Sequence, residues 1–174
     1  MHTSEEQNQY RILIIDDDPN VISALKRLLH WGPFIVESAA DGKEAITILR
    51  EKAVDLVICD EHMPGPSGTQ VLRYIKENWP ETIRVMLSGR IDTDVALKAV
   101  NEGEAYRLLS KPWNDADLMV TVRQGLEHGD LIKENRRLAD EMRKYKNTID
   151  SLEEQFPGIT SKNIDSEGFY IASK

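Results

Sequence analysis

Three consecutive carboxylates, Asp16, Asp17 and Asp18, follow directly on the apolar run Ile12-Leu13-Ile14-Ile15, and a second run, Leu56-Val57-Ile58-Cys59, ends on Asp60. Carboxylates held close together raise one another's pKa or recruit a counter-ion. Two buried strands that both end this way therefore point to a hard cation with oxygen ligands. Mg2+ suits such a place, because it keeps several waters and takes one or two carboxylates. Ser88 and Lys111 close two further apolar runs and add a hydroxyl and an ammonium. The set reads as a phosphoryl site: an aspartate oxygen is a competent nucleophile toward phosphorus, giving an aspartyl phosphate. A metal ion and a lysine would neutralise charge on the equatorial oxygens.

These groups meet only if the chain folds so as to bring its strand ends together. Apolar runs at 12–15, 34–36, 56–59, 83–87 and 106–109 alternate with stretches of helical period. Val21, Ala24, Leu25, Leu28 and Leu29 line one helical face, begun at Asp18-Pro19 and stopped at Gly32-Pro33. Ala45, Ile46 and Leu49 follow the turn signal Asp41-Gly42, and Val71, Leu72 and Ile75 follow Ser67-Gly68. A helix from near Asp92 would bury Val95, Ala96, Ala99 and Val100. Another, after Lys111-Pro112-Trp113-Asn114, would bury Leu118, Met119, Val122 and Leu126. Five strands alternating with helices predict an α/β fold: a doubly wound five-stranded parallel sheet of flavodoxin-like order 2-1-3-4-5. Strands one and three are then neighbours at the switch point, where ligands sit outside the carboxyl ends of the strands.

Each residue also has an ordinary explanation. An acidic run after a strand is commonly a solvated loop with a helix cap, which suits Asp18. Cys59 reads as a small core residue pointing away from Asp60 by strand alternation. His62 lies beside the site, and a lone loop histidine is more often solvated than catalytic. The phosphoryl reading prevails because four separate strand ends each supply a group that such chemistry needs.

Composition removes other classes. Over 174 residues, 40% hydrophobic and 30% charged content describe an ordinary globular protein with room for one full domain and an appendage. A net charge of -8 argues against general attraction to nucleic acid or anionic lipid. One cysteine excludes an internal disulfide framework, and no stretch approaches the length of a membrane span. The expectation is a cytoplasmic protein with no membrane and no nucleic-acid partner.

Residues 10–126 resemble the receiver domain of two-component response regulators. The likeness is carried by Ile14-Ile15-Asp16-Asp17-Asp18, Asp60 followed by Met63-Pro64-Gly65, Leu87-Ser88-Gly89 and Lys111-Pro112-Trp113. It implies that Asp60 is the phosphoacceptor, served by a sensor histidine kinase or phosphotransfer protein. It implies that Asp17 binds Mg2+ directly and Asp16 through water, with the backbone carbonyl of His62 and Asp60 itself as further ligands. Ser88 would be the hydroxyl that moves toward the phosphoryl group, Lys111 the cation that pairs with it, and Lys111-Pro112 a cis bond. The chain departs from the family at Leu108, where many relatives carry the aromatic that switches rotamer; Tyr106 lies two residues earlier. The stretch from Tyr106 to Trp113 is similar to receivers found ahead of cyclic-dinucleotide phosphodiesterase or other output domains.

A different period begins near Glu127. Leu131, Leu138, Tyr145 and Leu152 recur every seven residues, as do Asn135, Met142, Ile149 and Phe156, offset by four. This a/d seam predicts a coiled-coil helix over 127–156, its seam residues 131–156 joining two copies in parallel. A buried asparagine at an a position, Asn135, favours a two-stranded parallel pairing, and Glu141 at g would face Lys146 at e of the partner. Residues 127–156 hold eight acidic and six basic side chains, so no basic region of a DNA-binding zipper exists. The expected organisation is a disordered tail over 1–9, a receiver domain over 10–126, the dimerising helix over 127–156, and a tail or linker over 157–174. The leading reading is a phosphorylation-controlled signalling module, with no enzymatic activity beyond self-catalysed phosphoryl uptake and loss. The alternatives are the front piece of a larger output enzyme, such as a cyclic-dinucleotide phosphodiesterase, or an aspartate-nucleophile phosphatase.

Overall fold

A computed structural model describes residues 9–89 and 100–158. Strands β1 (Tyr10–Ile15), β2 (Phe34–Ala39), β3 (Leu56–Asp60), β4 (Ile83–Ser88) and β5 (Arg107–Ser110) form one parallel sheet in the order β2-β1-β3-β4-β5. That is the order expected from the alternation. The helices are α1 (Pro19–Leu29), α2 (Gly42–Glu51), α3 (Gly68–Asn78) and a long C-terminal helix, α4 (Asp115–Gln155). The helix expected from near Asp92 lies outside the described residues, apart from its helical last residues Val100 and Asn101. The chain forms two compact units, divided between Ile132 and Lys133.

In the first unit the sheet separates two apolar cores, because successive strand side chains face opposite sides. Ile12, Ile14, Leu56, Ile58, Val85 and Leu87 pack with α1 and with Leu118, Val122 and Leu126 of α4. Leu13, Ile15, Val57, Cys59 and Met86 pack on the other side with α2 and α3. Helix starts sit where the side chains dictate. Asp18 caps α1 through the Asn20 amide, Asp41 caps α2 through Lys43 and Glu44, and Ser67 with Gln70 forms a capping box on α3. Each such cap stabilises its helix by about 1 kcal/mol. The first unit runs on through Ile132: Gly129 is buried against Ile83, and Ile132 packs on the core that holds Leu118, Val122 and Leu126.

Each strand departs from its apolar run by at least one residue, and tertiary contacts account for the departures of β2 and β5. β2 continues past Val36, because the ladder pairs Leu13 with Glu37, Ile14 with Ser38 and Ile15 with Ala39 whatever the side chains. Glu37 is tolerated there by ion pairs to Lys52 at 2.7 Å and Arg11 at 2.9 Å. The hydrogen bond from Lys52 is the main reason its carboxyl sits below the usual range. β5 starts at Arg107 rather than Tyr106, whose ring instead stacks on His128 of α4 at 5.3 Å.

Tyr10, at the start of β1, donates a hydrogen bond to Asp130 at 2.6 Å. That bond, followed by burial and nearby carboxylates, pushes the phenol from 10.0 up to about 12. The folded state thus favours the protonated phenol. This stabilisation is complete below pH 10 and is lost as pH climbs through about 12. Urea unfolding of the parent and Tyr10→Phe is expected to diverge below pH 10 and to converge above that window. Curves with a pH-independent gap would contradict the assignment.

The second unit contains α4 from Lys133 onward. Leu138, Met142, Tyr145, Ile149 and Leu152 are all exposed on it, with Phe156 just beyond. Arg137 forks between Glu134 and Glu141, each at 2.6 Å, which are one turn away on either side. Among the described residues, no helix is long and apolar enough to cross a membrane.

Candidate functional site

The β1–β3 ladder runs from Ile12 opposite Leu56 to Ile15 opposite Cys59, so the next pair outward is Asp16 opposite Asp60. Alternation gives both the parity of Ile14 and Ile58, and both carboxylates therefore emerge on one face, side by side. Asp16 is 1% exposed and Asp60 5%, while Asp17, one residue further on, is exposed. All three offer carboxylate oxygens within 4.8 Å of one another.

Lys111 joins them from beyond β5. Its backbone amide donates to the Ser88 carbonyl at 2.7 Å, and the bond to Pro112 is cis, as expected there. Its Nζ lies 2.7 Å from Asp16 Oδ2 and 2.9 Å from Asp60 Oδ1. Burial alone would lower the ammonium's pKa. The hydrogen bonds and charges of Asp16 and Asp60 outweigh it, and the net shift is upward. Two charge-assisted hydrogen bonds of about 1.5–3 kcal/mol each are enough to offset the cost of half-burying one ammonium. The lysine is therefore a fixed cation between the two buried carboxylates.

The two aspartates are not equivalent. Asp16 uses both oxygens, one on Lys111 and the other on the Asp18 amide at 2.9 Å. Asp60 uses one on Lys111, and among the described residues no hydrogen bond engages its second. The carboxylate with an uncommitted oxygen opens on a pocket of about 350 Å3 lined by Asp60, His62, Gly89 and Lys111. Ser88 is buried at the tip of β4, next to Gly89 in that lining. The donors are all hard oxygens, two of them on rigid strand ends, which fits Mg2+ rather than a softer metal.

Other nearby groups are turned away. Cys59 faces the opposite core, and burial, then the charge of Asp60, pushes its thiol well up, so it is not a nucleophile at neutral pH. Leu108 packs into that same core, in the place where many receivers have an aromatic.

The sequence reading did not find the clamp on the loop that carries His62. Glu61 Oε2 accepts from both the amide and the hydroxyl of Thr69 at 2.8 Å, and the Gly68 amide donates to the Glu61 carbonyl at 3.0 Å. A Cβ on Gly68 would collide with the Asp60 carbonyl oxygen and lie 2.8 Å from Glu61 Cα. The only trace of this in the sequence is Ser67-Gly68 at a helix start, which by itself means little.

The family model for the response regulator receiver domain matches residues 12–123. The chain is similar to the hydrogenase transcriptional regulatory protein HoxA of Cupriavidus necator, 35% identical over 135 residues, 78% of this chain and 28% of HoxA. It is similar to the DNA-binding response regulator MtrA of Mycolicibacterium smegmatis, 34% identical over 121 residues, 69% of this chain and 52% of MtrA. Among solved structures, the signal receiver domain of an HD domain-containing protein from Pseudomonas fluorescens Pf-5 superposes with a TM-score of 0.71 at 36% identity. It covers 77% of this chain and 98% of that one. The chain thus spans about a quarter to a half of the length of these curated relatives.

Proposed function

Because the chain belongs to the response regulator receiver family, we propose that Asp60 accepts a phosphoryl group from a phosphohistidine on a sensor histidine kinase or phosphotransfer protein. The observation that carries this is the convergence of Asp16, Asp17 and Asp60 around Lys111, with one Asp60 oxygen left uncommitted. That oxygen attacks phosphorus. The O–P bond forms as the P–N bond to the donor imidazole breaks, and the imidazole leaves with the electron pair and takes a proton from water. Lys111 transfers its hydrogen bond from the Asp60 carboxylate to a phosphoryl oxygen, and the Ser88 hydroxyl donates to another. Asp16, Asp17, Asp60 and the backbone carbonyl of His62 would hold Mg2+, which when bound supplies positive charge to the phosphoryl oxygens. Hydrolysis of the acyl phosphate returns Asp60 to its carboxylate. This uptake and loss is the only chemistry assigned to the chain.

Incubation with acetyl phosphate tests the reading. Uptake should require Mg2+, stop on chelation, and map to the peptide that contains Asp60. Label elsewhere, or uptake indifferent to chelation, would remove its basis. The regulators among its relatives do not favour a phosphodiesterase fragment or an aspartate-nucleophile phosphatase.

What phosphorylation controls is part of the same proposal. Two copies pair in parallel through 131–156, and phosphorylation shifts a two-state equilibrium that is read out through this helix. In support, the seam residues Leu131, Leu138, Met142, Tyr145, Ile149 and Phe156 are exposed in the single chain. Isolated apolar residues on a surface are ordinary, but a contiguous exposed stripe marks an interaction site. Arg137 orders Glu141 beside the seam, within reach of the position where Lys146 of a partner copy would lie. Leu138→Glu should convert a dimer to a monomer at micromolar concentration in sedimentation equilibrium, with the receiver's melting unchanged. A parent chain that sediments as a monomer would rule this pairing out.

A further inference from the structure

We propose that the groove between α2 and α3 docks an amphipathic helical segment of a partner protein, presenting an apolar side chain flanked by carboxylates. The groove has a volume of about 510 Å3 and shares no lining residue with the pocket at Asp60. Lys43, Ile46, Thr47 and Arg50 form one stripe along α2, and Gln70, Val71 and Tyr74 face them from α3. Ile46 and Val71 make the floor. Tyr74, 40% exposed, forms a wall, its ring braced by Trp79 with centroids 6.3 Å apart.

Charge selects the occupant. Lys43 and Arg50 stand two turns apart on α2, roughly 10 Å along its axis. Among the described residues neither has an ion-pair partner. Arg11, Lys52, Arg73 and Lys111 sit against carboxylates of the chain itself, whereas Lys43 and Arg50 flank the apolar floor with their charges turned to the groove's open side. A helix with carboxylates two turns apart and an apolar residue between them would match both cations and the floor at once, the anchor spacing of helix-in-groove recognition. A small molecule fits less well, because small ligands are mostly enclosed. Here Lys43, Thr47, Arg50, Gln70 and Tyr74 leave the groove open along its length.

The groove is also preformed. Val71 Cγ2 occupies the space where a Cβ on Gly42 would lie, at 2.7 Å, locking the two helices together at one end. Both helices are capped at their starts. Binding therefore needs no rearrangement of the receiver, which spares it an ordering cost.

The probe is a stapled helical peptide with a central leucine and a glutamate one turn to either side, titrated into the full chain by fluorescence anisotropy. Saturable binding is expected, with amide shifts confined to residues 43–50 and 70–74. It should weaken by about tenfold or more in the double variant Lys43→Glu, Arg50→Glu. A peptide with lysines in place of the glutamates should restore binding to that variant. Tyr74→Ala gives an independent reduction if the charge-reversed protein does not fold. Failure of the glutamate peptide to bind, equal binding by both proteins, or shifts elsewhere would overturn the proposal.

Discussion

Replacing Asp60 with asparagine is expected to lower phosphoryl uptake from acetyl phosphate by roughly 10^3-fold or more, the scale on which an enzyme loses rate when its nucleophile is deleted. Intact-protein mass should show no phosphorylated species while the parent accumulates it. The variant should stay folded. Asparagine keeps the shape and can still accept from Lys111, and the change removes one charge from a site where three carboxylates crowd one ammonium. Its melting temperature should lie within a few degrees of the parent's, a difference of about 1 kcal/mol or less. Asp16→Asn is the informative contrast, because both Asp16 oxygens are already engaged. It should slow uptake and weaken Mg2+ dependence, yet leave the label on Asp60. An Asp60→Asn protein that took up label as readily as the parent would end the proposed function.

Gly68→Ala is expected to cost about 3 kcal/mol and to lower the melting temperature by roughly 10 °C. Helix propensity alone predicts the opposite sign, a gain of up to about 1 kcal/mol for alanine over glycine. The close approach wins because the obstacle is backbone: the Asp60 carbonyl oxygen and Glu61 Cα cannot rotate aside as a side chain could. Relief requires α3 to lift from the end of β3, which would also displace Asp60. Gly89→Ala is the control, since nothing lies within 4 Å of its missing Cβ. It should melt within about 0.5 kcal/mol of the parent. A Gly68→Ala protein as stable as this control would show that the loop can yield.

The strands, their order and the convergence of carboxylates could be read from the sequence because they rest on local signals. Apolar runs mark strands, Asp18-Pro19 and Asp41-Gly42 mark helix starts, and the alternation of elements leaves few topologies. What stayed hidden depends on contacts between distant residues. The polar end of β2 carries no apolar signal, and only the ladder with β1 and the pairing of Glu37 to Lys52 and Arg11 explain it. Tyr106 looks like the start of an apolar run, but its ring stacks on His128 of α4. The position of Lys111 between Asp16 and Asp60, and the unequal commitment of those carboxylates, follow from geometry that no spacing encodes. The clamp of Glu61 on Thr69 was illegible for the same reason.

Strand register carries one further consequence. Asp16 meets Asp60 because both fall on the same side of a two-residue repeat. Gaining a single codon within β1 or β3 would send one carboxylate through to the far surface of the sheet and bring Ile15 or Cys59 up in its place. Length variation in descendants of this chain should therefore collect in the connections at the opposite, amino-terminal rim, where an added residue changes no partner in the crevice.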